Sequence, residues 1–476
     1  MKRASRILAM GLGLALTVSS TIFAAGNHNI QALKLNPYSA SKGNDAMVFA
    51  NGVKNNISSY SYKITDLTKG ITVDDFYGKS DYIKYWASEG SYSGELWAKD
   101  SNYDVNAHFN LNDRKLEWAG GNLEFVFLAV CNQLNGSEGI KPRQIYAKAM
   151  RGNNAVRVIS GYHDNAPSAA DAAIANKFIE YAKTGESVKS SWILANEACK
   201  NDDSIQGYNA RNYCVLTHSG NAQYSRIEGF PGSTYTRPGA GSTTILRFSA
   251  AKPNGATELT SADLADMEVP NYMLKGSLKD ISFLSGNVIA DVNDAKISTV
   301  MGEIGDTPVY MTSEEVKSSG LKWLDTNVKG LSSSTVENYE AEITPIVMSE
   351  IYDDDTEGAE QKIAYVVNYP NRFDGIRISG EGYDVVIGSE GVIAANVKWS
   401  DLEKIEYTAK ESPVTYEQAK QLVERELGAR SIQNIDEMKG DISFVYDMDS
   451  ELYYPTWIFH LDDTTHTVNC LTGELK

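Results

Sequence analysis

LEFVFLAVCNQLNG, residues 123–136, carries seven apolar residues in the eight from Leu123 to Val130 and then turns polar at Asn132-Gln133 and Asn135-Gly136. A segment apolar at odd and even positions alike reads as a strand covered on both faces, the place such strands hold in the middle of a parallel sheet. It ends on a thiol, Cys131, and the carboxyl ends of strands are where open α/β sheets carry their ligand and active-site groups. The stretch therefore predicts an α/β fold with a mostly parallel sheet flanked by helices.

Working outward, strand and helix patterns alternate. Upstream, NDAMVFANGV (Asn44 to Val53) reads as a short helix, and SYSYKITD (Ser59 to Asp66) and DYIKYW (Asp81 to Trp86) read as strands. Downstream come a helix near Arg143 to Arg151 and an apolar strand, AVRVISGY, from Ala155 to Tyr162. Ile174, Phe178, Tyr181 and Ala182 share one helical face after Asp171 and stop at Gly185. Val188, Trp192, Ala195 and Cys199 then share another, which places Cys199 on a buried side. YCVLTH (Tyr213 to His218) is one more strand. FPGSTYTRPGAGSTT (Phe230 to Thr244) marks the end of this unit.

The bulk properties narrow the classes. A chain of 476 residues with 42% hydrophobic content has room for several packed domains and excludes global disorder. MKRASRILAMGLGLALTVSSTIFAAG has the basic start, apolar run and small residues of a secretory signal, with cleavage expected near Ala24 or Ala25. Taking away Lys2, Arg3 and Arg6 reduces 44 basic residues to 41 against 62 acidic, a net charge of −21. Such a surface repels nucleic acid and anionic lipid. No later stretch is apolar enough to span a membrane. Cys199 and Cys214 flank a loop that a disulfide could close; otherwise they are ordinary thiols.

Beyond about Ala250 the segments become β-rich. DDDTEGAE (Asp353 to Glu360) lacks the spacing of a calcium loop and reads as a solvated turn. Near the C-terminus, Thr415 and Gln418 have capping-box spacing, and Ala419, Leu422, Val423 and Leu427 form an apolar stripe ending at Gly428. About three short strands follow, so a helix packed on a small antiparallel sheet is expected. The divisions are residues 1–25 (signal), 26–250 (α/β domain), 251–340 (β-rich connection), 341–410 (β module) and 411–476 (α+β module). No cofactor or metal site is expected.

DYIKYWASEG, LEFVFLAVCNQL, AVRVISGYHDN and ANKFIEYAKTGESVKSSWILA, in that order, resemble a bacterial domain-of-unknown-function family of secreted proteins, over about residues 45–232. Its layout is in turn similar to the caspase and gingipain group of cysteine peptidases. In those enzymes a His-Gly pair ends one strand and a catalytic Cys ends the next. Cys131 takes the cysteine position, whereas the His-Gly position reads Ser88-Glu89-Gly90, so the glycine is present and the histidine is not.

A thiol with its ordinary pKa is mostly protonated at neutral pH and needs a neighbouring base or cation; Glu89 would work against ionisation. His163, after the next strand and beside Asp164, is the best substitute. His108 and His218 are weaker, and His28 sits in the N-terminal tail. Farther on, IAYVVNYPNRFDGIRISGEGYDVVIGSEGVIAANVKW resembles propeptide modules of secreted metallopeptidases, and SPVTYEQAKQLVERELG with the terminal strands resembles a PepSY module, together spanning about residues 360–476. This likeness implies inhibition or chaperoning of a peptidase, or envelope regulation; no H-E-x-x-H motif is present.

The expectation is thus a secreted or cell-envelope protein with a degenerate cysteine-peptidase-like domain and partner-binding or inhibitory modules, its partner a secreted peptidase or an envelope protein. The alternatives are an active cysteine peptidase using Cys131 and His163, and a purely structural envelope protein.

Overall fold

The computed structural model describes residues 27–34, 45–57, 61–66, 73–78, 81–91, 94–99, 106–111, 115–118, 122–136, 141–151, 156–167, 170–200, 211–233, 244–251, 260–290, 296–336, 340–354, 356–408, 412–429, 438–461 and 464–475. The first part runs β1 (Asn27–Lys34), α1 (Asp45–Asn56), β2 (Ser61–Asp66), α2 (Val73–Tyr77) and β3 (Ile83–Gly90). It continues with β4 (Glu95–Lys99), β5 (Asn106–Asn110), β6 (Phe125–Val130), α3 (Pro142–Met150) and β7 (Val158–Tyr162), then α4 (Asp171–Lys183), α5 (Val188–Cys199), β8 (Tyr213–His218) and β9 (Ile245–Ala250).

β6 lies between β3 and β7, parallel to both. Its alternation sorts the apolar run into two cores. Phe125, Phe127 and Ala129 pack under α1, α4 and α5, while Val126, Leu128 and Val130 pack with Phe76 and Tyr77 of α2 and Tyr146 and Ala147 of α3. With both faces covered, neither parity can be polar, which is why the sequence shows a continuous apolar run.

The longest run of parallel pairing joins five strands, β2-β1-β3-β6-β7, and a short parallel contact joins β17 to β20. From β7 onward through β8, β9 and the C-terminal strands the main ladder is antiparallel. The expectation of a mostly parallel sheet is therefore corrected: the sheet is mixed and mostly antiparallel. The reason lies in α4 and α5. Two consecutive helices joined by a short link return the chain to the end of the sheet it left, so β8 must run against β7. A parallel neighbour needs a crossover that ends at the opposite edge.

β1 is a second departure, because the N-terminal tail supplies a central strand. Its polar look is deceptive: Gln31 is buried and its Oε1 accepts from Lys84 Nζ and Trp86 Nε1, both at 2.9 Å. A buried polar side chain with its partners in place costs the strand little.

The second part runs α6 (Ser261–Ala265), β10 (Tyr272–Leu278), β11 (Ser282–Phe283), β12 (Asn287–Ala290), β13 (Ile297–Val300), α7 (Ser313–Asn327), β14 (Val328–Lys329) and α8 (Ser333–Val336). Then follow β15 (Glu342–Ile351), β16 (Gln361–Phe373), β17 (Ile376–Gly388), β18 (Gly391–Lys398), β19 (Ser400–Glu406), α9 (Tyr416–Ala429), β20 (Lys439–Asp447), β21 (Leu452–Leu461) and β22 (Thr464–Asn469). β9 pairs with β8 on one side and β15 on the other, so the ladder continues into the antiparallel strands β15 to β18.

In the β-rich connection α7 is a 15-residue helix with a full Thr312/Glu315 capping box, a start signal present in the sequence and not read from it. α9 meets its expectation. The Thr415/Gln418 box forms, and Ala419, Val423 and Leu427 pack on Trp457, Phe459 and Val468 of β21 and β22. None of the four cysteines forms a disulfide with another described cysteine. Cys199 belongs to the core on one face of the sheet and Cys214 to the core on the other, so the sheet itself separates them.

Candidate functional site

The order β2-β1-β3-β6-β7 is a doubly wound one, with its switch point between β1 and β3 and its binding edge at the carboxyl ends of the strands. β3 and β6 end there together, with Ser88 opposite Val130. Gly90 shows how close they come. A Cβ on it would lie 2.4 Å from the Cys131 carbonyl oxygen, 2.6 Å from Val130 Cγ1 and 2.9 Å from Gln133 Nε2. Glycine is thus required beside the thiol whether or not a histidine precedes it. Gly90→Ala is expected to cost about 2–3 kcal/mol, since a backbone oxygen cannot swing away; the shift in urea midpoint measures it.

Past Val130 the chain turns sharply. Cys131 is partly exposed, and Asn132 is buried with φ 61°, a left-handed conformation that Asn tolerates better than most residues. Two loops are stitched together at this edge. Asn132 N–H donates to Asp164 O at 2.9 Å, Leu134 N–H to Tyr162 O at 2.9 Å, and Asn135 Nδ2 to His163 O at 2.9 Å. The Ala166 amide donates to Cys131 Sγ at 3.3 Å. Gln133 is fully buried; its Nε2 reaches Glu95 O of β4 at 3.2 Å and its Oε1 accepts from Tyr146 OH at 3.0 Å. Asn132 Oδ1 is buried with no hydrogen-bond partner among the described residues. Backbone strain and an unsatisfied acceptor next to a thiol are features that cluster at functional sites. Asn132 and Gln133 were legible only as turn residues; the signal was two amides directly after a buried strand.

The structure thus brings Cys131 and His163 to one loop cluster. Burial holds the His163 pKa below the ordinary imidazole value; Asp164 opposes the shift, while Arg247 and Arg143 add to it. Among the described residues no side chain hydrogen-bonds its ring. A Cys-His pair that works by thiolate-imidazolium pairing needs the opposite: a ring favoured in its cationic form and oriented by a third group.

The other histidines lie elsewhere. Strand register pairs Val158 of β7 with Thr217 of β8, so His218 sits at the amino end of β7, away from His163. His28 belongs to the amino end of β1, where its Nε2 meets Glu228 Oε2 at 2.6 Å and its ring stacks on Tyr82. The side chains of His108 and Glu89 fall outside the described residues.

Asp353, Asp354 and Glu360 of the acidic turn are exposed, as a solvated turn would be, but Glu357 is partly buried, and behind the Cys131 loop the turn joins a charged network. Arg143 pairs with Glu357 and Arg247 with Glu360, Arg247 Nε lies 3.6 Å from Glu357 Oε2, and Arg151 Nε lies 3.0 Å from Asp353 Oδ1. The carboxylates have guanidinium partners, the arrangement that favours planar bidentate recognition. Among the described residues no cluster of His, Cys, Asp and Glu has the makings of a metal site, and no helix is long and apolar enough to cross a membrane.

The stretch that supplies Cys131, His163 and the loops around them can be placed among known sequences. Residues 55–229 match the domain-of-unknown-function family DUF6345. The DUF6345 match runs from β2 through β8 and contains the whole Cys131 loop cluster, but not β1 or the acidic turn at Glu357. No curated protein matches the chain.

Proposed function

We propose that this chain is a secreted or cell-envelope binding protein whose DUF6345 region keeps the layout of a caspase-like cysteine peptidase without its hydrolytic activity, and whose C-terminal modules engage a partner peptidase or envelope protein. The observation that carries the reading is the surrounding of Cys131. A backbone amide is aimed at its sulfur, the strand beside it has no histidine in the expected place, and the histidine that shares its loops is disfavoured as a cation. The doubly wound strand order with the thiol at its carboxyl edge supports the peptidase-like layout. The α9 helix on its antiparallel sheet supports the comparison with a PepSY module. A second reading, an active peptidase using Cys131 and His163, draws on the hydrogen bonds that tie the two loops together.

Alkylation separates the two. Cys199, Cys214 and Cys470 are wholly buried, so a small reagent applied to the folded chain reads Cys131. The expected result is a rate that rises with pH through the ordinary thiol range, about 8.5, with no peptide cleavage lost in Cys131→Ala. Rapid reaction already near pH 6, with cleavage that disappears in both Cys131→Ala and His163→Ala, would overturn the binding-protein reading in favour of the enzyme.

A further inference from the structure

The Cys131 loop is held from outside the DUF6345 match. Arg143 N–H donates to Asn135 O at 3.1 Å, and its guanidinium reaches Leu134 O at 3.5 Å. A Cβ on Gly136 would fall within 2.0 Å of Arg143 Nη2, so the guanidinium lies flat against the end of the loop. That guanidinium is in turn fixed by Glu357, which also accepts from Gln144 Nε2 at 3.2 Å. The turn carrying Glu357 is itself anchored. Arg151 Nη2 donates to Ile351 O and Tyr352 O, each at 2.6 Å, and Arg247 Nε donates to Ser349 Oγ at 2.9 Å. The links that run from Glu357 through Arg143 to the Cys131 loop are direct contacts between partly or fully buried groups.

The geometry points to the acidic turn as the positioning element of the Cys131 loop, with Glu357 acting through Arg143 to set the loop's conformation and the reactivity of its thiol. This rests on the reading of that edge as the functional site. It assigns the β15–β16 hairpin a role in the site, so that anything binding or displacing the turn changes Cys131. The same carboxylate neutralises Arg143 and Arg247, the two cations that act on His163. Removing its charge takes away the carboxylate that pairs with Arg143, while Arg247 keeps Glu360, so the field at the site becomes more positive; charges separated by several ångströms in a partly buried setting still interact appreciably.

The test uses the full chain and two reagents, neutral iodoacetamide and anionic iodoacetate. In Glu357→Gln, folded by circular dichroism, the ratio of the iodoacetate to the iodoacetamide rate at Cys131 is expected to rise about threefold or more; a purely structural loosening would raise both rates alike. Unchanged rates and ratio in the folded variant would overturn the proposal. Should Glu357→Gln not fold, Arg143→Lys retains the charge but loses the planar contact with the loop. It is expected to speed iodoacetamide with the ratio constant, and a rate equal to wild type would overturn the proposal. Peptide cleavage measured on the same samples reports separately on whether the site is silent. The binding-protein reading can thus fail while the coupling stands, and the reverse.

Discussion

Phe127→Ala is expected to remove about 3–5 kcal/mol of stability, the range for a fully buried Phe truncated where its surroundings cannot collapse. Phe127 is the inward residue of the central strand on the α1/α4/α5 face. Its ring centroid lies 4.5 Å from that of Phe49 on α1, 5.2 Å from Phe178 on α4, 5.7 Å from Trp192 on α5 and 5.9 Å from Tyr85 on β3. Three helices and a neighbouring strand therefore lose a common partner at once. Aromatic pairs add about 0.5–1.5 kcal/mol each beyond their buried area, so the cost falls toward the upper end of the range. Domains of this kind have a net stability of about 5–15 kcal/mol, and the variant should unfold at a much lower urea concentration with its m-value unchanged. A loss under about 1 kcal/mol would mean that β6 is not enclosed on both faces.

The same residue shows what could be read without coordinates. Apolar side chains at both parities from Phe125 to Val130 state that two layers cover the strand, and that inference holds because burial is proportional to apolar area whatever the partner. Strand direction is not written there. It depended on whether one helix or two intervened before Tyr213, and the pattern at Ile174–Ala182 and Val188–Cys199 already contained two. β1 escaped notice because burial of Gln31 is made tolerable by Lys84 and Trp86, residues more than fifty positions away.

At the site, the thiol at a strand's carboxyl end and the nearby His163 were visible as residue types in the right places. The roles of Glu357 and Arg247 were not. Runs of carboxylates look the same in sequence whether water or arginine surrounds them, and Glu357 and Arg143 are brought together only by the antiparallel run from β8 through β9 to β15.

The part of the stability that Glu186 contributes is expected to fall as pH rises from about 5 to 8. Glu186 lies in the link between α4 and α5, almost wholly buried, with Oε2 lacking a hydrogen-bond partner among the described residues. Burial pushes its pKa up to about 8; the Glu303 carboxylate adds to the shift and Arg226 opposes it. Glu303 is held in place by Ser187 N–H at 2.8 Å, Ser187 Oγ at 2.6 Å and Arg226 Nη2 at 2.6 Å, so it cannot move away from Glu186.

Between the unfolded carboxyl value and about 8 the folded chain keeps a proton on Glu186 that the unfolded chain has lost. The contribution is therefore complete at low pH and disappears as pH rises through 8, at about 1.4 kcal/mol per pH unit. Lys189, one turn along, has the opposite sign. Burial lowers it to about 7, against Glu303 and Asp306, so above pH 7 the unfolded chain holds the extra proton and stability recovers toward pH 10. His460, lowered to about 4 by burial, also favours higher pH, but only up to the ordinary imidazole range.

Subtraction separates these contributions. Glu186→Gln keeps the shape of the protonated carboxyl and cannot ionise, so the urea-derived stability of the variant minus that of wild type should be flat below pH 4.5, climb through pH 5–8, and level off after a rise of about 5 kcal/mol. A difference that does not change with pH would mean that Glu186 is ionised in the folded chain at neutral pH, with Arg226 rather than burial controlling the junction of α4 and α5.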